Sequence, residues 1–335
     1  EGVSKTGAAD FHDAGISGEG TKVAIIDVGF DHLTEAKESG DLPAEAIAFT
    51  KDYTGSGNVE SGINHGTDVA EIVHDIAPKA ELYLMKIGDS LDLQNAKDDA
   101  ISKGVDVINH SVGWFNFSFY DGTGLISNIA ADARDNGILW INAAGNAAHV
   151  HWQGDFADPD EDSWHEFSGD DRGNGLGTIG PGNTINIYLT WDAWPSDAQD
   201  YDLYLLNSED EIVARSDNYQ TGNQSPTEFL HYTVSTTDQY SFAISNRNAP
   251  ATPDLEAFVS LRIGAPAMEY YVEDSSIMDP ANDEKVITVG AVNYSNWTSG
   301  PQEYFSSQGP TNDSKHSAAR TKPDIVAPDG VSTSG

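Results

Sequence analysis

Three short segments carry side chains able to do chemistry. In Ile25-Ile26-Asp27-Val28-Gly29 an apolar run ends on a carboxylate, and the glycine lets the chain turn sharply. Taken alone, Asp27 reads as a turn residue or a helix cap. In Asn64-His65-Gly66-Thr67 an imidazole precedes an apolar helical pattern, so its ring would stand at a helix start. Imidazole exchanges a proton near neutral pH more readily than any other unperturbed side chain. In Asn142-Ala143-Ala144-Gly145-Asn146 a strand runs into small residues, which allow a substrate backbone to come close. The Asn146 amide is either a turn residue or a donor to a developing oxyanion. The chemistry within reach of these types is proton transfer and stabilisation of an anion on oxygen.

The elements around them alternate. Residues 22–27, 81–85, 105–108 and 138–142 are short apolar runs, as expected of strands buried on both faces. Residues 67–74, 91–102 and 127–135 have helical apolar spacing, and Gly104 ends the second. Strand and helix in alternation predict a parallel sheet with helices on both faces, with functional groups beyond the carboxyl ends of its strands. The pattern changes near His149. Residues 151–172 are rich in Asp, Glu, Trp and Gly, and short alternating runs follow at 184–189, 202–205, 211–214, 231–234, 240–244 and 257–261. These predict an antiparallel β-sandwich. The run Tyr201-Asp202-Leu203-Tyr204 is one of its strands. The first pattern returns near Asp279, with a buried strand at 286–292.

Composition narrows the function. The 335 residues include 54 acidic and 17 basic ones, a formal net charge of -37. Such a surface repels nucleic-acid phosphate. It also repels itself, and salt screens that repulsion, which predicts a high-salt habitat. There is no cysteine, so disulfides, thiolate zinc sites and thiol catalysis are excluded. No apolar run is long enough to span a membrane, and residues 1–10 lack a signal-peptide pattern.

In this order and setting the three segments resemble the subtilisin-like serine proteases (subtilases), over roughly the first 148 and the last 55 or so residues. Asn109-His110-Ser111-Val112-Gly113 is similar to the family's substrate-pairing strand, which makes Ser111, Val112 and Gly113 the implied substrate-binding residues. Phe305-Ser306-Ser307-Gln308-Gly309-Pro310 and Lys322-Pro323-Asp324-Ile325-Val326-Ala327-Pro328 resemble the stretch that leads to the family's nucleophile. The resemblance implies that Asp27 orients His65, that His65 is general base and then acid, and that Asn146 belongs to the oxyanion hole. No Gly-Thr-Ser-x-Ala-x-Pro segment is present; Thr333-Ser334 is a partial match only. The expectation is a chain truncated before its serine. Val28, Asp68 and Glu71 depart from the residues usual beside the Asp and the His.

The expected fold is therefore α/β, a subtilisin-like parallel sheet with helices on both faces and an inserted antiparallel β-sandwich. The divisions are 1–148, 149–275 for the insert, and 276–335. The insert loosely resembles the pre-peptidase C-terminal type of sandwich. The expected activity is that of a secreted serine endopeptidase acting on protein or peptide, with no nucleic acid, no membrane span and no cofactor required for the chemistry. The alternative is a non-catalytic protein of the same fold that binds through the sandwich. No metal ligand is assigned. Structural calcium is what the family implies, with the acidic stretch 155–162 as a place for it. His149 and His151 are loop histidines able to share a metal, or simply exposed. Asn223 and Asn296 lie in glycosylation patterns too common to decide anything.

Overall fold

The computed structural model describes residues 1–261 and 267–333; Ser334 lies outside the described residues. The chain opens with the short helices α1 (Gly2–Thr6) and α2 (Ala8–Asp13). It continues through β1 (Lys22–Asp27), α3 (Leu33–Ser39), β2 (Ile47–Asp52), α4 (His65–Ile76) and β3 (Glu81–Lys86). Next come α5 (Ser90–Lys103), β4 (Val107–His110), α6 (Gly124–Asp135) and β5 (Leu139–Ala143).

Eight strands follow before the α/β pattern resumes. They are β6 (His151–Asp155), β7 (Asn174–Ile179), β8 (Thr184–Trp191), β9 (Asp200–Leu206), β10 (Ile212–Ser216), β11 (Thr227–Thr233), β12 (Asp238–Asn248) and β13 (Asp254–Leu261). β14 (Ile287–Asn293) and β15 (Ile325–Asp329) then rejoin the first sheet. That sheet has seven parallel strands in the order β15-β14-β5-β4-β1-β3-β2.

Alternation along β1 sets the two faces. Val23 and Ile25 pack with Leu33 and Ala36 of α3 and Ala70 of α4. Ala24 and Ile26 pack with Leu93, Ala96 and Ala100 of α5 and Ile129 and Ala133 of α6. Ile25 and Ile26 are wholly buried, each worth about 1.5–3 kcal/mol relative to exposure. A strand sandwiched between helices must be apolar throughout, which is why the run was visible as a strand at all.

The remaining strands form two four-stranded antiparallel sheets, β10-β9-β12-β7 and β11-β8-β13-β6. The second sheet is covered on both faces along β13. From β13, Glu256 and Phe258 point towards the α/β part, where Phe258 meets Phe115 and Tyr120. Alternation turns Leu255, Ala257 and Val259 to the interior between the two sheets.

Glu256 and His151 are fully buried at this contact. His151 Nε2 lies 2.9 Å from Glu256 Oε1, its Nδ1 lies 2.7 Å from the Val272 carbonyl, and Asn312 Nδ2 donates to Glu256 Oε2 at 2.6 Å. Burial pushes the Glu256 carboxyl above its ordinary range. His151 is thus neither exposed nor near a shared metal site with His149, whose Nε2 meets Glu273 instead. The sequence could not show this, because the partners lie more than a hundred residues away.

Replacing Glu256 by Ala leaves the His151 ring and the Asn312 amide without their carboxyl partner in a dry contact. Chemical denaturation in concentrated salt is expected to show a loss of about 3–5 kcal/mol.

Candidate active site

Asp27 ends β1 with its side chain fully buried. Its Oδ1 accepts the Val28 N–H at 2.8 Å, and its Oδ2 lies 2.9 Å from His65 Nδ1. Because the Val28 backbone makes that bond, its side chain is not needed for it and stands partly exposed. His65 is itself the first residue of α4, two residues earlier than the apolar spacing indicates, with Asn64 before it. With Nδ1–H held by the carboxylate, Nε2 carries the lone pair and faces the accessible side; the ring is 44% exposed. The hydrogen bond to Asp27 is the main cause raising the His65 pKa; partial burial opposes it, and the charges of Asp27 and Asp68 add to it. Asp68 thus reinforces the base from the first turn of α4, while Glu71 turns into the buried side of that helix.

Two glycines allow this meeting. A Cβ on Gly29 would lie 2.5 Å from the Ile63 carbonyl oxygen, and one on Gly66 would lie 2.6 Å from that of Gly29 and 2.8 Å from the Phe30 ring. The Gly66 N–H donates to the Gly29 carbonyl at 2.9 Å. Gly29 is therefore a point of backbone contact more than a turn.

His110, at the end of β4, was not singled out from sequence. It is wholly buried beside the pair. Its Nδ1 donates to the Ile26 carbonyl at 2.7 Å and its Nε2 accepts from Trp114 Nε1 at 3.0 Å. That pattern fits only the neutral ring, and burial pushes its pKa down to about 4. A polar residue inside an otherwise apolar strand was the available signal.

Ser111, Val112 and Gly113 continue from β4, and Asn142–Asn146 from β5. β1, β4 and β5 are adjacent and parallel, so Asp27, the 111–113 segment and Asn146 lie on one rim spanning about 10 Å. Asn142 Nδ2 reaches the Val112 carbonyl at 3.4 Å. Asn146 is exposed. Ser307 fixes the loop before and after it, donating its N–H to the Gly145 carbonyl at 2.9 Å and accepting the Ala147 N–H at 3.0 Å through Oγ. Buried Met278 fills the gap between the two segments. A Cβ on Gly113 would lie 2.8 Å from its Cε, and one on Gly145 closer still.

The parallel sheet, its covering helices and the added antiparallel β domain make a subtilisin-like α/β fold. The subtilase family (peptidase S8) matches residues 18–187, and the chain belongs to it. Subtilisin E of Bacillus subtilis is 30% identical over 164 residues, which are 43% of this chain and 39% of that protein. Subtilisin Savinase of Lederbergia lenta is 25% identical over 206 residues, 57% of this chain and 73% of that one. The chain thus spans about two fifths of the length of the subtilisin E it matches. Among solved structures, the CspB protease of Clostridium perfringens superposes with a TM-score of 0.63 at 16% identity, over 97% of this chain and 80% of that one. That likeness is one of fold, and its extent carries it through the antiparallel strands.

A His110 pKa far below the ordinary 6.5 means that its contribution is whole above about 6.5 and is lost as pH falls towards about 4. The expected loss across that window is about 3 kcal/mol. His165 shifts the same way, whereas Asp279 and Glu228, both pushed up to about 7 by burial, act oppositely. Subtracting the stability-against-pH curve of His110→Gln from that of the wild type is expected to isolate the His110 contribution.

Proposed function

We propose that the chain is the larger part of the catalytic domain of a secreted serine endopeptidase that works in concentrated salt, with residues 149–275 as a domain inserted between 1–148 and 276–335. The nucleophilic serine is placed in sequence beyond Gly335. The observation that carries this reading is the buried Asp27 carboxylate 2.9 Å from His65 Nδ1, with Nε2 left towards the accessible side.

In this mechanism His65 Nε2 takes the serine proton as the oxygen attacks the scissile carbonyl. Asp27 keeps Nδ1–H in place and stabilises the imidazolium. The negative charge forming on the carbonyl oxygen is met by the Asn146 amide. His65 then returns the proton to the leaving amine, and the acyl-enzyme is hydrolysed by water activated in the same way. Segment 111–113 aligns the substrate backbone. The excess of carboxylates supports the salt requirement, because counterions relieve their mutual repulsion.

With full-length protein and a peptide substrate in concentrated salt, Asp27→Asn and His65→Ala are each expected to lower kcat/KM by about 10⁴-fold or more. Asn146→Ala is expected to cost about 10²–10³ in kcat. Full turnover in either of the first two variants would exclude the mechanism. Failure of full-length protein to form an adduct with a fluorophosphonate would favour a binding protein of the same fold.

Met278 leaves little room between Gly113 and Gly145. The proposed enzyme is therefore expected to prefer small side chains next to the scissile bond. Met278→Ala is expected to raise kcat/KM by about 10–200-fold for peptides with a large apolar residue there, measured against a matched alanine peptide.

A further inference from the structure

Asp279 is a buried carboxylate that the proposed mechanism does not use. Its side chain is wholly enclosed, and among the described residues no lysine or arginine pairs with it. An ionised group so placed is costly unless donors converge on it. Three side chains do converge. Ser118 Oγ donates to Oδ1 at 2.9 Å and to Oδ2 at 2.8 Å, Asn282 Nδ2 donates to Oδ1 at 2.8 Å, and Ser127 Oγ stands 3.5 Å from Oδ1. All three are buried as well. Burial pushes the Asp279 carboxyl up to about 7, and the Asn282 and Ser118 donors oppose that rise.

The donors come from separate parts of the chain. Ser118 follows the 111–113 segment, Ser127 lies in α6, and Asn282 is on the stretch of Asp279 itself. The main chain is held too. The Asp279 carbonyl accepts the Trp114 N–H at 3.0 Å, in an isolated antiparallel bridge. The Met278 carbonyl accepts the Asn282 N–H at 3.3 Å. Asn282 is anchored in turn, since its own carbonyl accepts from Arg320 Nη2 at 2.6 Å. The residue next to Met278 is therefore fastened, by backbone and by side chain, to the stretch that carries Gly113. A methionine side chain is unbranched and adaptable, so where its end lies depends on where its backbone is held. An apolar residue in place of Asp279 would fill the space without fastening anything.

We propose that Asp279 is a positioning residue: its buried donors hold Met278 between Gly113 and Gly145, and so decide which side chain a substrate can present there. The effect on selectivity rests on the reading of segment 111–113 and Asn146 as the substrate side of a peptidase; the hold on Met278 does not.

Two measurements test the two parts. The first uses full-length protein and compares kcat/KM for a peptide with a large apolar residue beside the scissile bond with that for its alanine match. Asp279→Leu is expected to raise the ratio of the two about 10-fold. A general loss of order would slow both peptides alike and leave the ratio where it was. Asp279→Asn is expected to keep the wild-type ratio, because its carbonyl can accept from Asn282 and its amide can donate to the Ser118 hydroxyl. In a Met278→Ala background, Asp279→Leu is expected to leave the ratio unchanged, since the side chain it positions is gone.

The second measurement needs no catalysis. The 335-residue chain has three methionines, Met85, Met268 and Met278, so methyl-labelled methionine gives three NMR signals, and Met278→Leu identifies the third. Asp279→Leu is expected to shift or broaden the Met278 signal, and Asp279→Asn to leave it in place. If Asp279→Leu does not fold, Ser118→Ala, which removes one donor, is expected to shift the same signal. A Met278 signal unaltered in the variant that folds overturns the hold, whether or not any peptide is cleaved. A signal that moves while the peptide ratio stays fixed overturns the role in selectivity. Cleavage of neither peptide by the wild type counts against the peptidase reading, and the methyl signal still decides the hold.

Discussion

A carboxylate cut off from water has to be met by donors inside the protein, and Asp27 is such a group. Its two acceptor atoms are met by the next backbone N–H and by an imidazole 38 residues on. Meeting the second requires that the chain after β1 and the start of α4 touch, backbone against backbone, which only residues without a Cβ permit at Gly29 and Gly66. The same demand reaches the next strand. His110 lies beside the pair, and a proton added there would put a second cation near the imidazole; its two hydrogen bonds and its burial hold it neutral. The sheet order, the glycines and the tautomer of a buried histidine thus all serve one pair of side chains.

The antiparallel strands are not an appendage hung from a flexible tether. Their β11-β8-β13-β6 sheet turns one face to the α/β part, with Phe258 against Phe115 and Tyr120 and with Glu256 bound to Asn312. The Asn312 side chain also donates to the Phe119 carbonyl at 2.7 Å. Met278 comes from the stretch that returns the chain to the first sheet, and its side chain packs against both Gly113, after β4, and Gly145, after β5. A residue that belongs to neither flanking segment therefore shapes the space beside the proposed oxyanion site.

What could be read from the chain followed from locality. β1, β3 and β5 are continuous apolar runs because helices cover both their faces, and Gly104 closes α5 with the left-handed backbone expected of it. The order of Asp27, His65 and Asn146 could be read because each stands where a strand or helix begins or ends. β4 starts two residues later than the apolar run suggests, since Val105 packs before the strand pairs. β2 was missed because it lies at the sheet edge with polar residues outward. β7 was missed because its Asn-Gly-Leu-Gly stretch looks like a turn; Glu269 lies where a Cβ on Gly175 would go. β6 is hidden in the sequence because it opens the stretch 151–172, whose Asp, Glu, Trp and Gly content reads as a loop. His110, the buried partners of His151 and the position of Met278 rest on contacts between distant segments, and no local pattern encodes them.

Ser307 and Asn312 are five residues apart on one extended stretch. The first fastens the loop that carries Asn146, and the second is anchored in the sandwich by Glu256. The insert is for this reason not a detachable module. Excising it would strip Asn312 of its acceptor and uncover Phe115 and Tyr120, next to the strut that steadies the loop around Asn146. In the history of such a chain, the two parts would have to change together, and a sandwich from a distant relative would graft poorly unless it brought its own acidic side chain to the same spot.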